Sequence, residues 1–365
     1  MSKIMTIMEF PKFDENFFKG RGAQINPFNP FHASNVTAEH IEGLDEELLS
    51  PRQTQFYSEH PKKILNKLEM PDAAMMYSVN PYQGCEHGCI YCYARNSHNY
   101  WGFSAGLDFE TKIIIKHNAA ELLEKVFMEQ KWVPGPVTFS GNTDCYQPVE
   151  RKMGITRSLL EVCNRFKNPA GIITKNQLIL RDLDILQDLA KDNLIFVNIT
   201  VTTLQESLRR QLEPRTTSCG GRLKTIEKLA AKGIPVGVMI GPIIPGLTDS
   251  EIPDIINAAA DHGAQTASYT MVRLNGALDK IFTDWIWKTY PMKAEKVLNN
   301  IRSTHQGQLN DSRWSLRMRG DGELANSIHQ LFYLMRDKYM PNRTPFEYNI
   351  KSFKRPGQLT LNFDL

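Results

Sequence analysis

A chain of 365 residues with 41% hydrophobic and 23% charged side chains is globular in proportion, and long enough for one large α/β domain with extensions. Its 43 basic and 40 acidic residues leave a net charge of +3, so any nucleic-acid surface is a local patch and not a property of the whole protein. No run approaches the roughly 20 apolar residues that span a bilayer. The opening MSKIMTIMEF is too short an apolar run for a secretory signal, so the expectation is a cytoplasmic protein with no membrane partner.

In chain order, residues 1–75 read as an irregular N-terminal extension: RGAQINPFNPF is rich in turn formers, and Pro51, Pro61 and Pro71 recur. From Tyr77, strand-like runs alternate with helix-period ones. The strands are expected at Tyr77–Asn80, Val137–Ser140, Gly171–Thr174, Ile195–Val201, Val236–Ile240 and Ser268–Arg273. Helix faces are marked by Leu122, Leu123, Val126 and Phe127; by Leu159, Leu160 and Cys163; by Leu186, Leu189 and Ala190; and by Ile226, Leu229 and Ala230. A fifth face, Ile252, Ile255, Ile256 and Ala259, follows a capping box at Thr248 and Glu251. Strand-then-helix repetition predicts an α/β fold with a parallel sheet and right-handed crossovers. Six strands suit an incomplete (β/α)6 TIM-type barrel over residues 76–275, with function at the C-terminal ends of its strands. A helical C-terminal extension is expected over 276–340, with helices at Lys293–Arg302 and after an N-cap at Asp321, and a polar tail over 341–365.

Cys85, Cys89 and Cys92 crowd one loop directly after the first strand, while Cys145, Cys163 and Cys219 are scattered. In a cytosolic chain that pattern favours a metal site and three free thiols. Thiolates at C-x3-C-x2-C hold three irons of a [4Fe–4S] cubane and leave the fourth open to a second cofactor. Gly84 and Gly88 allow the loop to curl. The rival is zinc with His87 as fourth ligand, but His87 stands two residues from both Cys85 and Cys89, closer than common zinc spacing.

This loop resembles the signature of the radical S-adenosylmethionine (AdoMet) superfamily, C-x3-C-x-aromatic-C, with Tyr91 as the aromatic residue. SGNTD after the second strand is similar to the family's methionine-binding loop, and GPIIPG after the fifth to its adenine-side loop. The resemblance implies a [4Fe–4S] cluster, AdoMet as cofactor, and reductive cleavage of AdoMet to a 5′-deoxyadenosyl radical. It also implies an electron donor such as flavodoxin or ferredoxin. Tyr91-Cys92-Tyr93, Thr143-Asp144, Thr174-Lys175, Glu213-Pro214 with Thr216, and Gly241-Pro242-Ile243 most resemble the spore photoproduct lyase branch. That branch implies a lyase-type reaction on damaged or modified DNA. RNA, a peptide or a small molecule is the alternative substrate class, and a purely structural ion the alternative to catalysis. By the same resemblance Tyr91, Thr143, Asp144, Lys175, Thr200 and Gly241 are the AdoMet-side residues. The branch's hydrogen-donating cysteine has no counterpart, because Gly141 stands there.

Cys145 is then either a hydrogen donor or a small buried residue, and Tyr93 either relays a hydrogen atom or packs on the cluster. Asn198 and Thr200 alternate with Val197, Ile199 and Val201 and point into the barrel. Arg313, Arg317 and Arg319, and Lys351, Lys354 and Arg355 around Phe353, are either nucleic-acid contacts or solvated faces. Near the C-terminus Gln358, Leu359, Leu361 and Phe363 form Q-L-x-L-x-F, which resembles the peptide by which DNA polymerases and repair factors bind the sliding clamp. The other reading is a terminal strand docked through its apolar face.

Overall fold

The computed structural model describes residues 18–31, 53–67, 77–342 and 344–356. Its strands are β1 (Gln55–Glu59), β2 (Leu65–Lys67), β3 (Tyr77–Val79), β4 (Tyr82–Gln83), β5 (Lys112–Lys116), β6 (Val137–Phe139), β7 (Ala170–Thr174), β8 (Ile195–Thr200), β9 (Val236–Ile243) and β10 (Thr266–Met271). The larger sheet runs β10-β9-β8-β7-β6-β3-β2. Every pair from β3 to β10 in it is parallel, and β2 adds an antiparallel edge. The six expected strands are therefore the six parallel strands of an open (β/α)6 barrel. A small sheet, β1-β5-β4, stands apart from it.

Alternation along β8 shows how the sequence builds the layers. Ile195, Val197 and Ile199 are buried with Leu186, Leu189, Ile226 and Leu229 of the flanking helices in one core cluster. Each such side chain contributes about 1.5–3 kcal/mol over exposure. Phe196, Asn198 and Thr200 take the opposite face and line the lumen. Helices 119–128, 155–166, 183–191, 219–231 and 252–261 carry the five expected faces.

Some local expectations are corrected. The capping box does not form: Thr248 Oγ1 accepts from Ile244 N at 2.9 Å, and the Glu251 carboxylate accepts from Thr203 Oγ1 and Leu204 N. Asp321 is not an N-cap, since helix 323–339 begins after Gly322 and Asp321 accepts from Gly322 N. β9 continues through Gly241-Pro242-Ile243, so those residues end a strand and do not form a loop.

Helices Leu278–Thr289 and Pro291–Ser303 build a second core, in which Ile281, Phe282, Trp285, Ile286 and Val297 pack with Cys89, Ile90 and Tyr91. The first of these helices was not expected from sequence. At the opposite end of the barrel, residues 344–356 cross the floor. Asn349 N bonds Asn193 O and Lys354 N bonds Phe166 O, while the Phe346 ring lies 5.2 Å from that of Phe196. Among the described residues no helix is long and apolar enough to cross a membrane.

Candidate active site

The cysteine loop leaves β4 and sits across the C-terminal ends of the parallel strands. Gly84 (φ 77°) and Gly88 (φ 67°) take the left-handed backbone that lets it curl. Gln147 holds the loop from β6's side, donating to Gly84 O at 3.0 Å and accepting from Glu86 N at 3.0 Å. Cys85 N bonds Phe109 O, and Cys92 leads into the 3₁₀ segment Tyr93–Trp101.

Burial pushes all three thiols up, Cys89 to about 12. The bare thiols are thus neutral at pH 7, and a cation must accompany their ionisation. A cubane that turns them into thiolates suits this donor set. His87 does not serve as a fourth ligand here: its Nδ1 lies 3.4 Å from Asp144 Oδ2, and its Nε2 is 3.1 Å from Asn176 Nδ2. Among the described residues no three His, Cys, Asp or Glu side chains gather as ligands of one ion.

Asp144 ties three elements together. It accepts from Thr174 Oγ1 at 2.7 Å, from Lys175 N at 2.9 Å, and faces His87. Burial alone would raise its pKa, but His87 and these donors bring it to about 2. Thr143 Oγ1 donates to Tyr82 O, so its side chain locks the loop after β6 onto β4. The Lys175 ammonium lies over the Tyr91 ring, 5.9 Å from its centroid.

Tyr91 belongs to a buried network. Its hydroxyl donates to Glu213, which is paired with Arg222 and accepts from Thr202 Oγ1 at 2.7 Å. Arg222 also donates to Thr200 O, and Thr202 Oγ1 lies 3.2 Å from Gly241 O. The network thereby joins the signature aromatic residue to the ends of β8 and β9. Thr200 Oγ1 is buried in the lumen without a hydrogen-bond partner, an opening for a bound polar group.

Tyr93 spans the mouth: it is 46% exposed, its hydroxyl donates to Gly141 O at 2.6 Å, and Arg273 from beyond β10 lies 5.6 Å from its ring centroid. A Cβ at Gly141 would meet Ser78 Cβ at 2.8 Å, so no thiol stands at this rim position. Cys145 is not there either. It is fully buried in the main core cluster, with its backbone N bonded to Ser140 Oγ at 2.8 Å.

The basic clusters also fall away from the mouth or into pairs. Phe353 packs on Phe127 and Phe166, and Arg355 donates to Phe127 O and Glu129 O, both at the barrel floor. Arg313 pairs with Asp311 and Asp321, and Arg317 stacks 3.9 Å from the Trp314 ring centroid. Gln358, Leu359, Leu361 and Phe363 lie outside the described residues. Sequence reasoning missed Gln147, Thr202 and Arg222, whose roles depend on contacts between distant loops.

An open six-stranded parallel barrel with three cysteines on the loop over its strand ends, two buried and one half-buried, defines a class of cofactor-dependent radical enzymes. The Radical SAM superfamily model matches residues 79–259. An uncharacterized protein of Mycobacterium tuberculosis is 31% identical over 235 residues, covering 63% of this chain and 68% of that protein. An uncharacterized protein of Methanocaldococcus jannaschii is 29% identical over 238 residues, covering 65% and 85%. The chain belongs to the radical SAM superfamily and is an enzyme of that type, with a [4Fe–4S] cluster and AdoMet as cofactors.

Among solved structures, spore photoproduct lyase complexed with dinucleoside spore photoproduct has a TM-score of 0.60 and 14% identity, over 85% of this chain and 88% of that one. A variant of the same enzyme with bound AdoMet and dinucleoside spore photoproduct also scores 0.60, at 13% identity over 85% and 88%. At such identity the likeness is one of fold.

Proposed function

We propose that Cys85, Cys89 and Cys92 hold the cluster, and that the enzyme acts on damaged or modified DNA. When bound, the cluster and AdoMet supply a 5′-deoxyadenosyl radical that abstracts hydrogen from the substrate. The chain's own residues bind and orient. Lys175 pairs with the methionyl carboxylate, Thr200 Oγ1 hydrogen-bonds the nucleoside, and the backbone at Gly241 gives the adenine a close approach. Asp144 fixes the Lys175 backbone, and the Tyr91–Glu213–Arg222 network keeps the ends of β8 and β9 in register with the cysteine loop. Tyr93 faces the substrate at the mouth.

The observation that carries this reading is the buried cysteine loop seated on the strand ends with Lys175 beside it. The DNA assignment draws on the shared fold with spore photoproduct lyase, whose solved complex holds a dinucleoside photoproduct. A reductant such as flavodoxin or ferredoxin completes the reaction, and the sliding clamp is the proposed partner of Gln358, Leu359, Leu361 and Phe363. The test is anaerobic incubation of reconstituted enzyme with deuterated DNA or RNA, or with lysate. Deuterium entering 5′-deoxyadenosine from lesion-bearing DNA supports the proposal; entry only from RNA or small molecules overturns the DNA assignment.

A further inference from the structure

Glu110 is completely buried, and both its oxygens are spent on one task. Oε1 accepts from Ala23 N at 2.8 Å and from Arg95 Nη2 at 2.5 Å; Oε2 accepts from Gly22 N at 3.0 Å. Arg95, equally buried, donates through Nε to Cys89 O at 3.0 Å and through Nη1 to Gly106 O at 2.9 Å; its backbone N bonds Cys92 O. One ion pair thus grips the backbone of Cys89 on one side and the segment at residues 21–26 on the other, while the Arg95 main chain bonds that of Cys92.

That segment lies flush on the loop. A Cβ at Gly22 would fall 1.8 Å from Gly88 O, and one at Gly106 would fall 1.9 Å from Ile25 O. Arg21 Nη1 donates to Glu110 O, Leu107 N to Ile25 O, and Asn26 exchanges bonds with Asp108. These bonds all fall on the stretch that follows the cysteines, none on the barrel strands. Ala23 packs in the same core as Cys89 and Ile90.

We infer that residues 21–26 form an outer wall of the iron–sulfur site, and that Glu110 is the positioning residue that seats this wall on the cysteine loop; the inference rests on the cluster reading above. The wall keeps the loop closed around its metal and limits access of chelators and oxidants from outside. Glu110→Gln removes the charge that Arg95 and the Gly22 and Ala23 amides are arranged around. Gly22→Ala leaves the ion pair whole but lifts the wall from Gly88.

The experiment is anaerobic reconstitution of wild type, Glu110→Gln and Gly22→Ala, then iron release to bathophenanthroline disulfonate, with circular dichroism to verify folding. Outer-sphere support of a metal site is typically worth about 10–100-fold in affinity, so both variants should release iron at least about 10-fold faster than wild type. The low-temperature electron paramagnetic resonance signal of the reduced cluster should also shift in Glu110→Gln. If Glu110→Gln does not fold, Gly22→Ala decides alone. A wild type that loads normally, with folded variants releasing iron at its rate, overturns this inference only. A wild type that takes up no iron overturns the cluster reading, and the inference with it.

Discussion

The Lys175 ammonium stands 5.9 Å from the centroid of the Tyr91 ring, and its charge is felt by both Glu213 and Cys89. A cation beside the signature aromatic residue and close enough to influence Cys89 would suit the methionyl carboxylate of AdoMet bound at the proposed cluster. Charge-assisted hydrogen bonds contribute about 1.5–3 kcal/mol, so Lys175→Ala should weaken AdoMet binding by about 10-fold or more. Iron content should stay at the wild-type level, because the lysine touches no iron. Equilibrium dialysis of reconstituted protein measures both, and wild-type affinity in the variant returns Lys175 to a strand-end lysine.

Stability should fall off in acid through two buried carboxylates. Burial would raise Glu213, yet Arg222, Lys175 and the Tyr91 hydroxyl bring it from 4.5 to about 2; Asp144 falls from 3.8 to about 2. Both therefore add stability that is complete above the unfolded values and is lost as pH drops toward 2. Glu213→Gln strands Arg222 in the core and should cost about 3 kcal/mol at pH 7, the scale for breaking a buried pair. Its acid limb between pH 4.5 and 2 should also be shallower, since one titrating carboxylate is gone. Urea unfolding at neutral pH and at pH 3 reads both effects; a variant as stable as wild type would mean the pair is energetically idle.

The barrel was legible because its signals are local. Val137–Ser140 and Ile195–Val201 are short apolar strands, and the helix faces repeat with the right period, so β6 and β8 lie within one residue of where sequence puts them. Loop chemistry was half legible. The cysteine spacing announces a metal, but Glu110 and Arg95, 15 residues apart, carry no motif and acquire their role only when residues 21–26 fold onto them. Thr248 and Glu251 spell a capping box, yet the loop after β8 offers Glu251 better-placed donors at Thr203 and Leu204. Cys145 sits near a family motif in sequence, but the turn after β6 directs it into the core.

Loss of any cluster cysteine should expose a second iron to solvent and water ligation. Cys89→Ala, reconstituted anaerobically, is expected to hold well under about four irons per chain and to produce no 5′-deoxyadenosine. Full loading of this variant would remove Cys89 from the ligand set.

Cys145→Ala is expected to leave AdoMet cleavage and the product spectrum unchanged. The thiol is fully buried, and burial raises its pKa far above the usual thiol range. Its loss should cost about 1 kcal/mol through a small cavity. New adducts or stalled intermediates from the variant would instead show that the thiol reaches the substrate.

The last prediction concerns Gln358, Leu359, Leu361 and Phe363. The chain just before them is anchored: Phe353 packs on Phe127 and Phe166, and Arg355 donates to Phe127 O and Glu129 O. The described chain thus ends at the floor of the barrel, and the Q-L-x-L-x-F pattern follows it in sequence. Peptide-in-groove recognition needs an amide to fix register and apolar side chains to fill adjacent pockets, which this pattern supplies. A labelled peptide of residues 354–365 should bind the sliding clamp in an anisotropy titration. Truncating an anchor side chain typically costs at least about 2 kcal/mol, so Gln358→Ala or Phe363→Ala should weaken binding about 30-fold. Binding by the peptide but not by the full-length protein would mean that the segment docks on its own chain, as the terminal-strand reading has it. No binding by the wild-type peptide ends the clamp proposal.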